Sequence, residues 1–137
     1  MTERLQDARI ANEIANLPEV APYLMADCEF DFTDAIAEGR NIFLHDAGGV
    51  AIFAWSAPRV YEIHLFFRPE CRGKPALAAC QRMIDWMVPE HADVLWAQPP
   101  KGLKAPLWVG LKLGFKKAGE FLHPLLGPVQ YITRMGV

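Results

Sequence analysis

The sequence predicts an α/β (α+β) fold: a mixed, mostly antiparallel sheet with one parallel strand pair at its centre and helices packed against it. Three stretches carry that expectation. Residues 61–67 place Tyr61, Ile63, Leu65 and Phe67 on one face and Glu62, His64 and Phe66 on the other, which is the period of a strand. A short basic turn then leads into an amphipathic helix over 75–87, and 93–97 reads as the next strand. A helix between two strands is the crossover that makes them parallel. Before this unit, the apolar runs 41–45 and 50–55 are joined through Asp46-Ala47-Gly48-Gly49, a glycine-rich turn of the hairpin kind.

The chain in order supports this outline. Leu5, Ala8, Ala11, Ile14 and Ala15 form one stripe of a helix over 3–16, with Thr2 available as its cap and Leu17-Pro18 ending it. No strand is predicted ahead of that helix. Asp31 or Thr33 can cap a short helix through Ala37, and Gly39 is placed to stop it. The hairpin follows, and 61–67 joins it as the third strand of a meander. Phe67 closes that strand because Pro69 cannot donate to a ladder. In the next helix Pro75 suits a first helical position, and Ala76, Leu77, Cys80, Met83, Ile84 and Met87 form the apolar side up to Val88-Pro89. Cys80 reads as core packing. Beyond the strand at 93–97 and the rigid Pro99-Pro100-Lys101-Gly102 loop, a helix over 104–113 stops at Gly114-Phe115. Residues 116–123 and 128–134 close the chain as an antiparallel pair.

Composition narrows the function classes. The 137 residues suffice for one domain, spanning 1–137, and 52% hydrophobic with 22% charged residues describes a globular chain. No apolar run is long enough to cross a bilayer, and the first residues lack the apolar segment of an export signal, so a cytoplasmic protein is expected. Cys28, Cys71 and Cys80 form no Cys-x-x-Cys pair, and His45, His91 and His123 have no metal-ligand spacing. Reduced thiols and no metal are expected. A net charge of −2 argues against nucleic acid as a partner. Charge is nevertheless uneven, since acids dominate before residue 50 and Arg and Lys outnumber them afterwards. Trp86, Trp96 and Trp108 read as core or groove wall. Asp27, Glu29, Asp31 and Asp34 could meet a cationic ligand or form a solvated loop.

The sharpest signal is the strand, basic loop and helix at 61–87. First-turn amides of a helix have no intrahelical partners and the macrodipole is positive there, so backbone can hold a phosphate, with Arg72 and Lys74 adding charge. Arg68-Pro69-Glu70-Cys71-Arg72-Gly73-Lys74-Pro75-Ala76-Leu77 resembles the pyrophosphate loop of the GNAT acetyltransferase superfamily, in which a strand ends in Pro-Glu-x-Arg-Gly-x-Gly-x-Gly/Ala before a long helix. Pro75 and Leu77 stand where the last two glycines would be, and Pro75 removes one amide. Lys112-Leu113-Gly114-Phe115 resembles the family's Gly-Phe helix ending. Residues 16–24 resemble the opening of short GNAT-like proteins encoded by phages.

The resemblance implies a three-layer GNAT-like fold whose two parallel strands splay apart, with the cofactor arm in the gap. It implies acetyl-CoA or another acyl-CoA as cofactor, held by Phe66, Phe67, Arg68, Arg72, Gly73, Lys74, Pro75 and Ala76, with a backbone amide near Phe67 polarising the thioester. Glu62 or His64 would serve as base, directly or through water. The acceptor would be a small-molecule or protein amine, with no membrane or nucleic acid involved, and the protein could act as a monomer or a homodimer. Two positions depart from the family: Gly110 stands at its general-acid tyrosine and Leu103 at its frequent asparagine. Water or Tyr131 would have to supply that proton. Two functions therefore stand side by side, an acyl-CoA-dependent N-acyltransferase and a catalytically inactive GNAT-shaped phage protein with a binding or virion-associated role.

Overall fold

The structure, a computed structural model, describes residues 1–24, 28–99, 104–124 and 127–135. In chain order the elements are β1 (Glu3–Arg4), α1 (Arg9–Ala15), α2 (Thr33–Ala37), β2 (Ile42–Asp46), β3 (Gly49–Ala57), β4 (Val60–Phe67), α3 (Lys74–Met87), β5 (Val94–Ala97), α4 (Lys104–Lys112), β6 (Lys116–His123) and β7 (Gly127–Met135), with single 3₁₀ turns at Ala21–Leu24 and Pro69–Cys71. The strands make one sheet in the order β1-β2-β3-β4-β5-β7-β6.

The meander forms as its turn chemistry demands. Ala47 and Gly48 connect β2 to β3 with φ of 50° and 77°, left-handed values whose twist matches the flanking strands. Alternation in the strands then fixes the two faces of the sheet. Ile42, Leu44, Phe53, Tyr61, Ile63, Phe67, Leu95 and Ile132 point to one side and bury Ala76, Ala79, Met83, Ile84 and Met87 of α3. Phe43, Val50, Ile52 and Phe66 point to the other and bury Ala11, Ile14 and Ala15 of α1, with Phe32 and Ile36 packed beside them. The result is three layers, helix, sheet and helix. Cys80 lies in the first core, where burial pushes its thiol up to about 12, so it packs and does not react at neutral pH.

One early expectation is corrected. The stripe from Leu5 to Ala15 predicts a helix from residue 3, but Glu3 and Arg4 pair with His45 and Leu44 as β1, and α1 starts only at Arg9. A tertiary partner overrides local helix preference here. Thr2 Oγ1 donates to Asp46 Oδ2 (2.7 Å) instead of capping a helix, and Asp46, almost wholly buried, also takes Nε and Nη2 of Arg82 at 2.9 and 2.7 Å. That carboxylate, satisfied from three sides, holds the first residues against the sheet edge. The expected loop at Pro100-Lys101-Gly102 and Leu103 lie outside the described residues.

Candidate active site

β4 and β5 are parallel, but their ladder is short. Val60, Tyr61 and Glu62 pair with Val94, Leu95 and Trp96, and pairing ends there. β4 continues through Phe67, whereas β5 turns to β7, pairing Ala97 with Ile132. The two strands therefore part just after Glu62 and Trp96 and leave a fork in the middle of the sheet.

The phase of the β3–β4 ladder shows what faces this fork. Arg68 donates its amide to the Gly48 carbonyl (3.0 Å), so Arg68 and Gly48 are a hydrogen-bonded pair. In the same register, with Gly49 opposite Phe67 and Ala51 opposite Leu65, the backbone groups of Phe67 and Leu65 turn away from β3. They point to the side that β5 has left, and no described residue takes their amides. The side chains at this level are anchors: Phe67 packs in the α3 core and Phe66 in the α1 core.

At the end of β4 the loop is pinned to the hairpin turn. The Arg68 amide bond is one tie, and Cys71 is another, since a Cβ added to Gly48 would stand 2.4 Å from its Sγ. Gly73 caps α3 with φ 96° and ψ −151°, a conformation open essentially to glycine alone. Pro75 has no amide, and among the described residues the amides of Gly73, Lys74 and Ala76 meet no protein acceptor. These three unpaired donors sit at the positive end of a helix of 14 residues. The predicted cations divide. Lys74 is exposed beside these amides. Arg72 donates Nη2 to the Glu19 carbonyl (3.0 Å), which ties the loop to the chain after α1, and Arg68 pairs with Glu13 of α1 (3.0 Å).

Glu62 stands at the vertex of the fork and joins His64 and Gln98 in a cluster, of which the sequence pointed to Glu62 and His64. Its Oε1 meets His64 Nε2 at 3.3 Å, and its Oε2 accepts from Gln98 Nε2 at 2.8 Å. Gln98 follows β5 directly, so this bond spans the two diverging strands. Burial pushes the Glu62 carboxyl up, but the bonds and charges of His64, Gln98 and His123 outweigh it and hold the group below its usual range. Trp96, the register partner of Glu62, reaches back with Nε1 to Ser56 Oγ on β3 (2.9 Å), and Tyr131 of β7 stacks on it at 5.1 Å. Gln98 was not predicted; a carboxamide just beyond a short strand gives no signal until the strand it faces is known.

Gly110, at the place where the resemblance expects a tyrosine, is buried in α4 against β7. A Cβ there would stand 2.5 Å from Ile132 Cδ1, so the space is filled by the core. Of the acids that could meet a cationic ligand or form a solvated loop, Asp31 accepts from Asn12 and from the amide and hydroxyl of Thr33, which secures the start of α2. Glu29 and Asp34 are exposed, and Asp27 lies outside the described residues. Among the described residues no group of three His, Cys, Asp or Glu side chains could hold a metal, and no helix is long and apolar enough to cross a membrane.

Solved structures with this architecture span nearly the whole chain. Spermidine N-acetyltransferase from Vibrio cholerae, in complex with CoA and spermine, covers 99% of this chain and 95% of its own at 15% identity, with a TM-score of 0.73. The GNAT-family acetyltransferase from Bacillus anthracis matches over 98% of this chain and 95% of its own, at 16% identity and a TM-score of 0.74. This chain has the GNAT fold. The putative acetyltransferase yncA from Salmonella typhimurium, with its cofactor acetyl-CoA, adds a match over 100% of this chain and 94% of its own, at 16% identity and a TM-score of 0.75. No protein-family model and no curated protein sequence matches the chain. Within the GNAT fold, the parted strands and the helix cap of this chain lie where the sequence resemblance expects them, at β4, β5 and the head of α3.

Proposed function

We propose that this protein is an acyl-CoA-dependent N-acyltransferase, with acetyl-CoA as its cofactor and an amine as its acceptor. The observation that carries the reading is the fork, with unpaired amides on β4 and further unpaired amides at the head of α3. Acyl-CoA, when bound, supplies an activated acyl thioester. The chain's own groups fit such a ligand. Gly73, Lys74 and Ala76 offer amides for a diphosphate, reinforced by the Lys74 ammonium. The open edge of β4 offers Leu65 and Phe67, in the manner of an added strand, to the amides of a pantetheine arm. The Phe67 N–H is also a suitable donor to an acyl oxygen on which negative charge develops. Structurally similar enzymes whose complexes hold CoA or acetyl-CoA together with spermine or an aminoglycoside support the same assignment.

His64 is the group that takes the proton from the attacking amine. Its side chain is about half exposed while that of Glu62 is only 15% exposed, and Glu62 already spends one oxygen on His64 and the other on Gln98. A carboxylate held below its usual range is a poor base for an ammonium, whereas imidazole is the side chain built for proton transfer near neutral pH. Glu62 orients His64 and stabilises it once protonated. Gly110 has no proton to give, so the departing thiolate draws its proton from solvent.

The competing reading is a catalytically silent GNAT-shaped component of a phage. Gly110 packed on Ile132 and the amide missing at Pro75 favour it. Calorimetric titration with acetyl-CoA separates the two. Saturable binding that weakens in Lys74→Glu supports the transferase; no heat of binding at millimolar acetyl-CoA leaves only the silent component.

A further inference from the structure

We propose that the acceptor is a primary monoamine carried on a flat aromatic body. This rests on the acyl-transfer reading and concerns the opposite face of the same fork. Along that face of β4 the side chains run Phe66, His64, Glu62. Phe66 is covered by Phe32, stacked on it at 6.1 Å. His64 is half open, and beyond Glu62 the surface becomes aromatic. The Trp96 indole, fixed to Ser56 across β4, carries Tyr131 at 5.1 Å with an interplanar angle of 24°, and Phe121 of β6 lies 6.4 Å from Tyr131 and remains 42% exposed.

Among the described residues, Gln98 bonds to Glu62, Ser56 to Trp96, and Phe121 lies beside Tyr131, and Glu62 is the one carboxylate in this set. A polyamine needs acids spaced along its length, and among these groups Glu62 is the one acid. What this face does offer is ring surface, and aromatic rings stack on ring surface or place a cation over it.

The test is calorimetric binding of amines to the protein saturated with CoA, which reads acceptor affinity without turnover. 2-Phenylethylamine is expected to bind roughly tenfold more tightly than butylamine, the gain of one good aromatic contact. The preference is expected to disappear in Trp96→Leu and to shrink in Phe121→Ala, an exposed position that a folded chain tolerates. Equal affinity for the two amines, tighter binding of spermidine, or a preference intact in both variants overturns the proposal while CoA binding keeps the transferase reading alive. Failure to bind CoA at all removes that reading and the proposal together.

Discussion

In the proposed reaction, single side chains at the vertex of the fork carry the chemistry, and their roles separate by substitution. If His64 takes the amine proton, His64→Ala lowers kcat by about 10²–10⁴-fold, the usual worth of a general base. Gln98→Ala leaves both groups in place and only frees one oxygen of Glu62, so its loss of kcat is smaller and the KM for acetyl-CoA stays near that of the parent. Steady-state kinetics of thiol release at saturating amine checks both. Asp46 is the residue on which the chain's start depends. Removing Arg82, one of its partners, by Arg82→Met destabilises the fold at pH 7, because the buried acid loses both of its charged hydrogen bonds to that side chain. The Arg82 side chain, hydrogen-bonded to Asp46, holds that carboxyl well below the ordinary carboxylate range. A depressed carboxylate adds stability above its unfolded pKa of about 3.9 and loses it as pH falls toward the folded value. Urea unfolding should therefore show the gap between parent and Arg82→Met narrowing below about pH 4 and wide at pH 7.

At the scale of elements, the head of α3 is the part most sensitive to backbone. A Cβ on Gly73 would touch nothing within 4 Å, so the cost of Gly73→Ala comes from φ 96° alone. That strain is on the order of 1–3 kcal/mol, and relaxing it would rotate the very amides that open the helix. The expected result is a modest loss of melting temperature together with a larger loss of acetyl-CoA affinity. Equal losses in unrelated surface glycines, such as Gly39, would remove the special status of this position; a Cβ there also meets nothing. The loop before α3 is held by contacts at both ends, through Arg68 and Cys71 on the hairpin turn and through Arg72 on Glu19. Arg72 had been expected to face phosphate. Its bond to the Glu19 carbonyl instead makes it a strut that keeps the loop against the chain after α1, while Lys74 retains an exposed ammonium at the helix head.

Across the whole molecule the decisive feature is that one sheet is zipped on both sides of a short opening. β4 is fully paired to β3, and β5 to β7, yet β4 and β5 share only three register pairs. Amide exchange followed residue by residue should reveal this directly. Phe66 and His64, turned toward β3, should exchange slowly, whereas Leu65 and Phe67 should exchange faster and become protected when acetyl-CoA is added. If Leu65 and Phe67 are as protected as their neighbours without ligand, the fork is closed in solution.

Much of this was legible in the chain itself, because strand period, turn residues and helix caps are local rules. The alternation at 61–67, the glycines of the β2–β3 turn and Pro75 predicted the meander, the parallel pair and α3, and the elements formed within a few residues of where those signals lie. The basic loop pointed to a candidate anion site for the same reason, since unpaired first-turn amides follow from any helix start. Three things needed the assembled fold. β1 formed because Asp46 and β2 recruit residues that locally prefer a helix; Gln98 met Glu62 across strands that are far apart in sequence; and Gly110 proved to be filled space only once Ile132 lay against it. Each is a contact between distant segments, and no spacing along a single chain encodes which distant side chain will arrive.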